Sequence, residues 1–334
     1  MSRVAVVGAG SWGTTLADLL AAKGNEVALW AYEPEVAEEI QRRRRNDLFL
    51  PEAPLHGGVA ATTDVRAAVR SAVLVVSAVP SHAVRAVFTR AADAVDRDAV
   101  VVSASKGLEV GSHRRMSEVL AEVLPQGTAI AALSGPTFAR EVYERQPTAA
   151  VVACAQADAA RRAQAALSAP HLRIYTNEDV AGVELGGALK NVIAIAAGIL
   201  DGLGVGHNAR AALVTRGLVE IARLGAALGA RPATFAGLAG MGDLVLTCTG
   251  HLSRNRSLGV ALGQGRKLAE IMARRLSVAE GVRTAQAAVT LSERVGVELP
   301  IAREVAHVLF DEKAPRQAIA DLMERSLKSE TYGD

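Results

Sequence analysis

Cysteine, aromatic rings and net charge are all scarce in this chain of 334 residues. Cys154 and Cys248 are its two cysteines, with neither a CxxC pair nor a histidine at metal-ligand spacing. A disulfide framework and a metal site are thereby excluded, and two reduced thiols fit a cytosolic protein. Aromatic residues make up 3% of the chain, too few to stack the bases of a single strand. The 37 basic and 35 acidic residues leave a formal charge of +2. No overall basic field draws nucleic acid or a membrane surface, so any anion site must be local. Long apolar runs are missing as well. The most membrane-like stretch, Val192–Leu200, has nine residues, under half of the roughly 20 needed to cross a bilayer. Met1-Ser2-Arg3-Val4 leads straight into a strand-like segment, with no charged leader, apolar core or cleavage site. The expected location is the cytoplasm.

What is present is a globular composition, 50% hydrophobic and 22% charged. The length suggests about two domains. In the first half, short apolar runs alternate with helical patterns. Val4–Val7, Val27–Trp30, Val73–Val79, Val100–Ala104 and Ala129–Leu133 read as strands, and Ala149–Ala153 and Leu172–Tyr175 flank a helix at Ala157–Leu167. Continuous apolar strands are buried on both faces, which predicts a parallel, doubly wound α/β sheet. Near Asp179 the pattern becomes helical. Val183–Leu200, Asn208–Leu228, Arg266–Arg275, Thr284–Val295, Ile301–Phe310 and Ala318–Lys328 read as helices, with glycine-rich breaks such as Gly237–Gly242. The expected division is a dinucleotide-binding domain at 1–180 and an all-α domain at 181–334.

Gly8-Ala9-Gly10-Ser11-Trp12-Gly13 follows the first strand and opens a helix. In that context the glycines meet three demands: a tight turn at Gly8, close approach of a pyrophosphate at Gly10 and close helix–strand packing at Gly13. Free N–H groups at the helix start then hold the phosphates. At the end of the second strand, Glu33 lies 20 residues after Gly13. It fits either an acid that selects NAD or a solvated turn residue. The run Arg42–Arg45 is surrounded by Glu35, Glu38, Glu39, Asp47 and Glu52, which reads as a solvated helix face.

Lys190 is the single cation of the apolar helix Val183–Leu200. A core helix does not carry an unpaired ammonium, and burial lowers an amine's pKa towards neutrality, where it accepts protons. Gly186 and Gly187, one turn earlier, are expected to leave room for a ligand beside the amine. Ser105-Lys106-Gly107 and Ser134–Ala139 each follow a strand, at the sheet edge where ligands bind in open α/β folds. Gly240-Met241-Gly242-Asp243 and Ser253-Arg254-Asn255 are polar islands in the helical half. An arginine next to a helix start suits a dianion. Together these islands describe a phosphate-bearing substrate held between two domains.

The motifs GAGSWGT (Gly8–Thr14), SKGLE (Ser105–Glu109), SGPTFA (Ser134–Ala139) and LGGALKNVIAIAAG (Leu185–Gly198) occur in that order. GMGDLVLTC (Gly240–Cys248), SRNR (Ser253–Arg256), VAEGV (Val278–Val282) and LPI (Leu299–Ile301) follow. Over nearly its full length the chain resembles the bacterial-type NAD(P)-dependent glycerol-3-phosphate dehydrogenases. The resemblance implies reversible hydride transfer between NAD or NADP and C2 of glycerol 3-phosphate, supplying glycerol 3-phosphate for phospholipid synthesis. It implies cofactor contacts at Ser11, Trp12, Lys106, Ala139, Arg254, Val278 and Glu280, beside Gly8, Gly10 and Gly13. It implies substrate contacts at Lys106, Gly135, Thr137, Asp243, Ser253, Arg254 and Asn255, with Lys190 as proton acceptor. Dimerisation through the helical domain is a further implication. Two departures stand out. Tyr32 stands where the family usually has Arg, which weakens any carry-over of NADP preference and leaves Tyr32 and Phe49 as provisional adenosine contacts. Gly250 stands where a serine is usual. A related β-hydroxyacid or 6-phosphogluconate-type dehydrogenase is the alternative enzyme. A dinucleotide-sensing module is the non-enzymatic one, and it has no need of Lys190 or Lys106.

Overall fold

The computed structural model of the chain describes residues 2–273, 279–327 and 329–330. Val278 therefore lies outside the described residues. The strands are β1 (Arg3–Val7), β2 (Glu26–Trp30), β3 (Val59–Thr62), β4 (Leu74–Ser77), β5 (Val100–Ser103), β6 (Ala129–Ser134), β7 (Thr148–Ala153) and β8 (Leu172–Asn177). They form one sheet in the order β3-β2-β1-β4-β5-β6-β7-β8. Between them run α1 (Ser11–Ala22), α2 (Pro34–Arg43), α3 (Val65–Val69), α4 (Val84–Ala91), α5 (Met116–Val123), α6 (Ala139–Tyr143) and α7 (Ala157–Leu167). Alternate residues of β1 serve opposite faces. Val4 and Val6 join a core with Leu16, Leu29 and Ala163, whereas Ala5 and Val7 join one with Val75, Phe88 and Leu120. Both faces are thus covered, which is why the strands read as continuous apolar runs.

The sheet is not parallel throughout. β7 runs antiparallel to β6, with Leu133 opposite Val152. The reason is the connection. Only the five residues of α6 are helical in this connection, so no full-length crossover helix carries the chain back along the sheet. The chain therefore re-enters the sheet in the opposite direction. β3, a short Val-Ala-Ala-Thr segment, has too weak a pattern to be foreseen.

From Val180 onward every regular element among the described residues is helical. These are α8 (Val180–Gly202), α9 (His207–Ala227), α10 (Pro232–Phe235), α11 (Asp243–Thr249), α12 (Arg254–Gly263), α13 (Leu268–Ala273), α14 (Glu280–Val295), α15 (Pro300–Phe310) and α16 (Pro315–Met323). The break expected at Gly237–Gly242 is instead a turn of π-helix over Leu238–Gly242. The last helix begins at Pro315 and ends at Met323, short of the Lys328 that periodicity suggested.

The apolar stretch within α8 also needs correction. It belongs to a helix of 23 residues, long and apolar enough to cross a bilayer. Burial, not length, decides its role: 89% of its most apolar window is enclosed by the protein, as befits a central core helix. α12 crosses it closely. A Cβ on Gly198 would lie 2.0 Å from the Arg256 carbonyl oxygen, so small residues at the crossing bring the first turn of α12 against α8.

Candidate active site

The strand order reverses between β1 and β4, and in open α/β sheets ligands bind at such a switch point beyond the carboxyl ends of the strands. The loops after β1, β4, β5 and β6 all emerge there. Gly8 has φ +113°, and a Cβ on it would lie 2.8 Å from the backbone of Ala78 after β4. Gly13 packs on the Gly8 carbonyl, whereas the space beside Gly10 is open for 4 Å. No side chain caps α1, which leaves its first N–H groups to an anion. These features fit a dinucleotide pyrophosphate. Asn46, which the sequence did not single out, braces the turn by donating to the Ala9 carbonyl at 2.7 Å and to Thr14 Oγ1 at 2.8 Å. Ser11 Oγ donates to the Phe49 carbonyl at 2.5 Å. Trp12 and Phe49 are partly buried against the same core. The Ala139 carbonyl accepts from Thr15 Oγ1 at 3.1 Å, tying α6 to α1.

At the end of β2, Tyr32 is 74% exposed and meets Trp30 edge-on, with ring centroids 6.4 Å apart. Glu33 is the N-cap residue of α2. Arg42 pairs with Glu38, Arg44 donates to the carbonyl of Val59 and Arg45 pairs with Asp47. Three of the four arginines in the run are thus occupied locally. The Val59 carbonyl that Arg44 engages starts β3 level with Val27, at the opposite end of β2 from Tyr32.

Lys190 is almost completely buried, yet it is not unpaired. Its ammonium donates to Asp243 at very short range and to Thr247 Oγ1 at 2.9 Å. Lys106, arriving from the carboxyl end of β5, donates to the other oxygen of Asp243 at 2.7 Å and to the Gly135 carbonyl at 3.0 Å. One carboxylate therefore bridges two amines from opposite parts of the chain. Burial pushes the Lys190 amine down to about 7, against the pull of Asp243, and the charge of Lys106 pushes the same way as burial. Burial would raise the Asp243 carboxyl, but the two ammonium groups outweigh it and hold it below the usual range. Thr247 is a group that sequence reasoning missed. Its spacing of four from Asp243 puts both on one face of α11.

Gly186 and Gly187 do not make room for a ligand. A Cβ on Gly186 would lie 2.6 Å from the Ala239 carbonyl oxygen, and one on Gly187 2.5 Å from Ser134 Oγ and 3.7 Å from the Lys106 stem. Their missing side chains let the π-turn and the β5 and β6 loops close onto α8. That approach is what brings Lys106 to Asp243. Gly135 has φ +135° and faces the backbone of Ala150, and Thr137 Oγ1 donates to its carbonyl at 3.2 Å.

Ser253 is the N-cap of α12 and accepts from the Arg256 backbone N–H at 3.2 Å. Arg254, the first residue of that helix, is exposed. Asn255 is buried, donating to Asn191 Oδ1 at 2.9 Å and accepting from the Gly281 N–H at 3.0 Å. It therefore joins α8, α12 and α14. Glu280 reaches across to the loop after β4, where its carboxylate accepts from Ser81 N at 3.0 Å and Ser81 Oγ at 2.6 Å. The group lies against Gly107.

A dinucleotide edge facing a helical bundle that delivers a near-neutral lysine defines a dehydrogenase of the two-part, nicotinamide-dependent class. The chain belongs to the glycerol-3-phosphate dehydrogenase family: models for the N-terminus and C-terminus of NAD-dependent glycerol-3-phosphate dehydrogenase match residues 3–160 and 179–320. It is 56% identical over 330 residues to glycerol-3-phosphate dehydrogenase [NAD(P)+] of Geobacter sp. (strain M21), covering 98% of each chain. Its structure is similar to that of glycerol-3-phosphate dehydrogenase from Coxiella burnetii, with TM-score 0.93 and 40% identity over 97% of this chain and 99% of that one. The yeast enzyme GPD1 superposes with TM-score 0.82 and 28% identity, over 97% and 99% respectively.

Proposed function

We propose that Lys190 is the group that moves the C2 hydroxyl proton as the chain, a glycerol-3-phosphate dehydrogenase, interconverts glycerol 3-phosphate and dihydroxyacetone phosphate. When bound, the nicotinamide supplies the hydride acceptor or donor for C2. The observation that carries this reading is the Lys190–Asp243–Lys106 bridge. An amine titrating near 7 changes protonation state at working pH, which suits a general base in one direction and a general acid in the other. Lys106, which donates to the other oxygen of the same carboxylate, stabilises the alkoxide that develops at C2. Asp243 holds both amines in place. Arg254 and the start of α12 take the distal phosphate, and Gly135, Thr137, Ser253 and Asn255 shape the intervening wall. The roles of these residues and of Ser11, Trp12, Ala139, Val278 and Glu280 towards the cofactor belong to this proposal. So do the division near residue 180, homodimerisation through the helical half, a cytoplasmic location and the supply of glycerol 3-phosphate for phospholipid synthesis.

The test compares reduction of dihydroxyacetone phosphate with oxidation of 6-phosphogluconate, using NAD(H) and NADP(H), in wild type and Lys190→Ala. Turnover of the triose phosphate is expected, falling at least ~100-fold in the variant, the lower end of general acid–base contributions. NADH binding should survive. Near-normal turnover in Lys190→Ala would remove Lys190 from the proton-transfer role.

A further inference from the structure

Lys106 and Lys190 come from opposite parts of the chain, so their spacing depends on what holds the segment after β5 against α8. Beside the close approach at Gly186 and Gly187, two contacts do so, and neither includes a group of the lysine–carboxylate bridge. Leu108, 2% exposed, is buried in the apolar cluster of the helical half that contains Leu185 and Leu189. It bridges antiparallel to Arg115, and Glu109 N–H donates to the Arg114 carbonyl at 2.9 Å, closing residues 108–115 into a loop. At the end of that loop, Glu184 of α8 accepts three hydrogen bonds. They come from Ser117 N at 2.7 Å, Ser117 Oγ at 2.5 Å and Arg115 Nη1 at 2.9 Å.

We propose that Glu184 is a positioning residue that clamps the 108–117 loop to α8 and so sets Lys106 against Asp243 and Lys190. The inference rests on the reading of Lys190 given above. Its physical basis is the short tether. Two residues of chain span at most about 7 Å, so the docking of Leu108 limits where the Lys106 backbone stands. The Glu184 side chain is 6% exposed, and a carboxylate so enclosed stays charged only with its donors in place. Burial raises the Glu184 carboxyl above its ordinary value, against the pull of Arg115 and Ser117. When the clamp loosens, Lys106 withdraws from Asp243. The charge of Lys106 pushes the Lys190 amine down. Its withdrawal therefore lets that amine titrate at higher pH.

The experiment is Glu184→Gln, with glycerol 3-phosphate oxidation followed from about pH 6 to pH 10. NADH binding and thermal unfolding are measured on the same protein. The expected result is a kcat lowered about tenfold, as for a misplaced catalytic group. The acid limb of the profile should move to higher pH, with NADH binding unchanged. Ser117→Ala removes one of the three donors and should move kcat and the acid limb the same way by less. It carries the test if Glu184→Gln does not fold. Wild-type kcat and profile in folded Glu184→Gln overturn the proposal. So does activity lost with an unmoved acid limb, the mark of a purely structural role. Lys190→Ala in parallel separates the two readings. If it stays active, the assignment of Lys190 fails; if it is inactive while Glu184→Gln is unaltered, the clamp fails.

Discussion

Replacing Asp243 by Asn should move the pH dependence of turnover towards acid and weaken the fold most at low pH. Asp243 is 1% exposed and, among the described residues, is the one carboxylate that both Lys106 and Lys190 engage. The amide keeps its shape and removes its charge. In wild type the Lys190 amine titrates near 7 because burial lowers it further than Asp243 raises it. With Asp243 gone, the lowering by burial and by Lys106 is unopposed, and the amine must titrate below 7. The sign follows from that. At pH 8 Lys190 is already largely neutral in both proteins. At pH 6 the wild type has a paired ammonium, whereas the variant must expel the proton or bury an unpaired charge. Breaking a buried pair by removing one partner costs roughly 3–5 kcal/mol. Part of that is relieved by deprotonation, so the loss should approach this figure at about pH 6 and fall short of it at pH 8. The assays are denaturant unfolding at the two pH values and kcat for glycerol 3-phosphate oxidation across the range. A decline in kcat of at least ~100-fold is expected, since both amines lose their anchor. An acid limb that stayed in place or moved to higher pH would refute the reasoning. So would equal destabilisation at both pH values.

Arg254→Ala should raise the KM for dihydroxyacetone phosphate about 10- to 150-fold, the equivalent of roughly 1.5–3 kcal/mol for a charge-assisted contact. Unphosphorylated dihydroxyacetone should be a poor substrate of both forms, and equal losses on the two would dissociate Arg254 from the phosphate. For the coenzyme, NADH should be used at least as well as NADPH, because the end of β2 carries Tyr32 and Glu33, and Arg42, Arg44 and Arg45 have local partners. Tyr32→Arg should shift kcat/KM towards NADPH by about 5- to 30-fold, or 1–2 kcal/mol. A tenfold wild-type preference for NADPH would contradict this reading.

The glycine loop was legible because its requirements are local. Strand, turn and helix lie within Arg3–Ala22, and a positive φ with close packing is a demand on the residues themselves. Lys190 was conspicuous for a similar reason, as the one cation of a largely apolar helix. Its partner was not. Asp243 lies 53 residues away, and nothing in either segment says which carboxylate a buried amine will meet. Gly186 and Gly187 show the same limit from the other side. Periodicity put them beside Lys190, but only the packed structure reveals that the space they leave is filled by the backbone at Ala239 and by Ser134 rather than by a ligand.

Strand direction belongs with the things that sequence does not carry. An apolar run reads the same whichever way its neighbour runs, so the reversal at β7 is visible only in the strand pairing itself. The sequence by itself determined most of the strands and the long core helices, β3 excepted, because apolar runs, periodicity and glycine position act over a few residues. The tertiary structure decided which charges meet, how far Lys106 stands from Asp243 and what fills the space beside α8. Those depend on the close approach of distant segments, where a single missing side chain or a buried carboxylate decides the outcome.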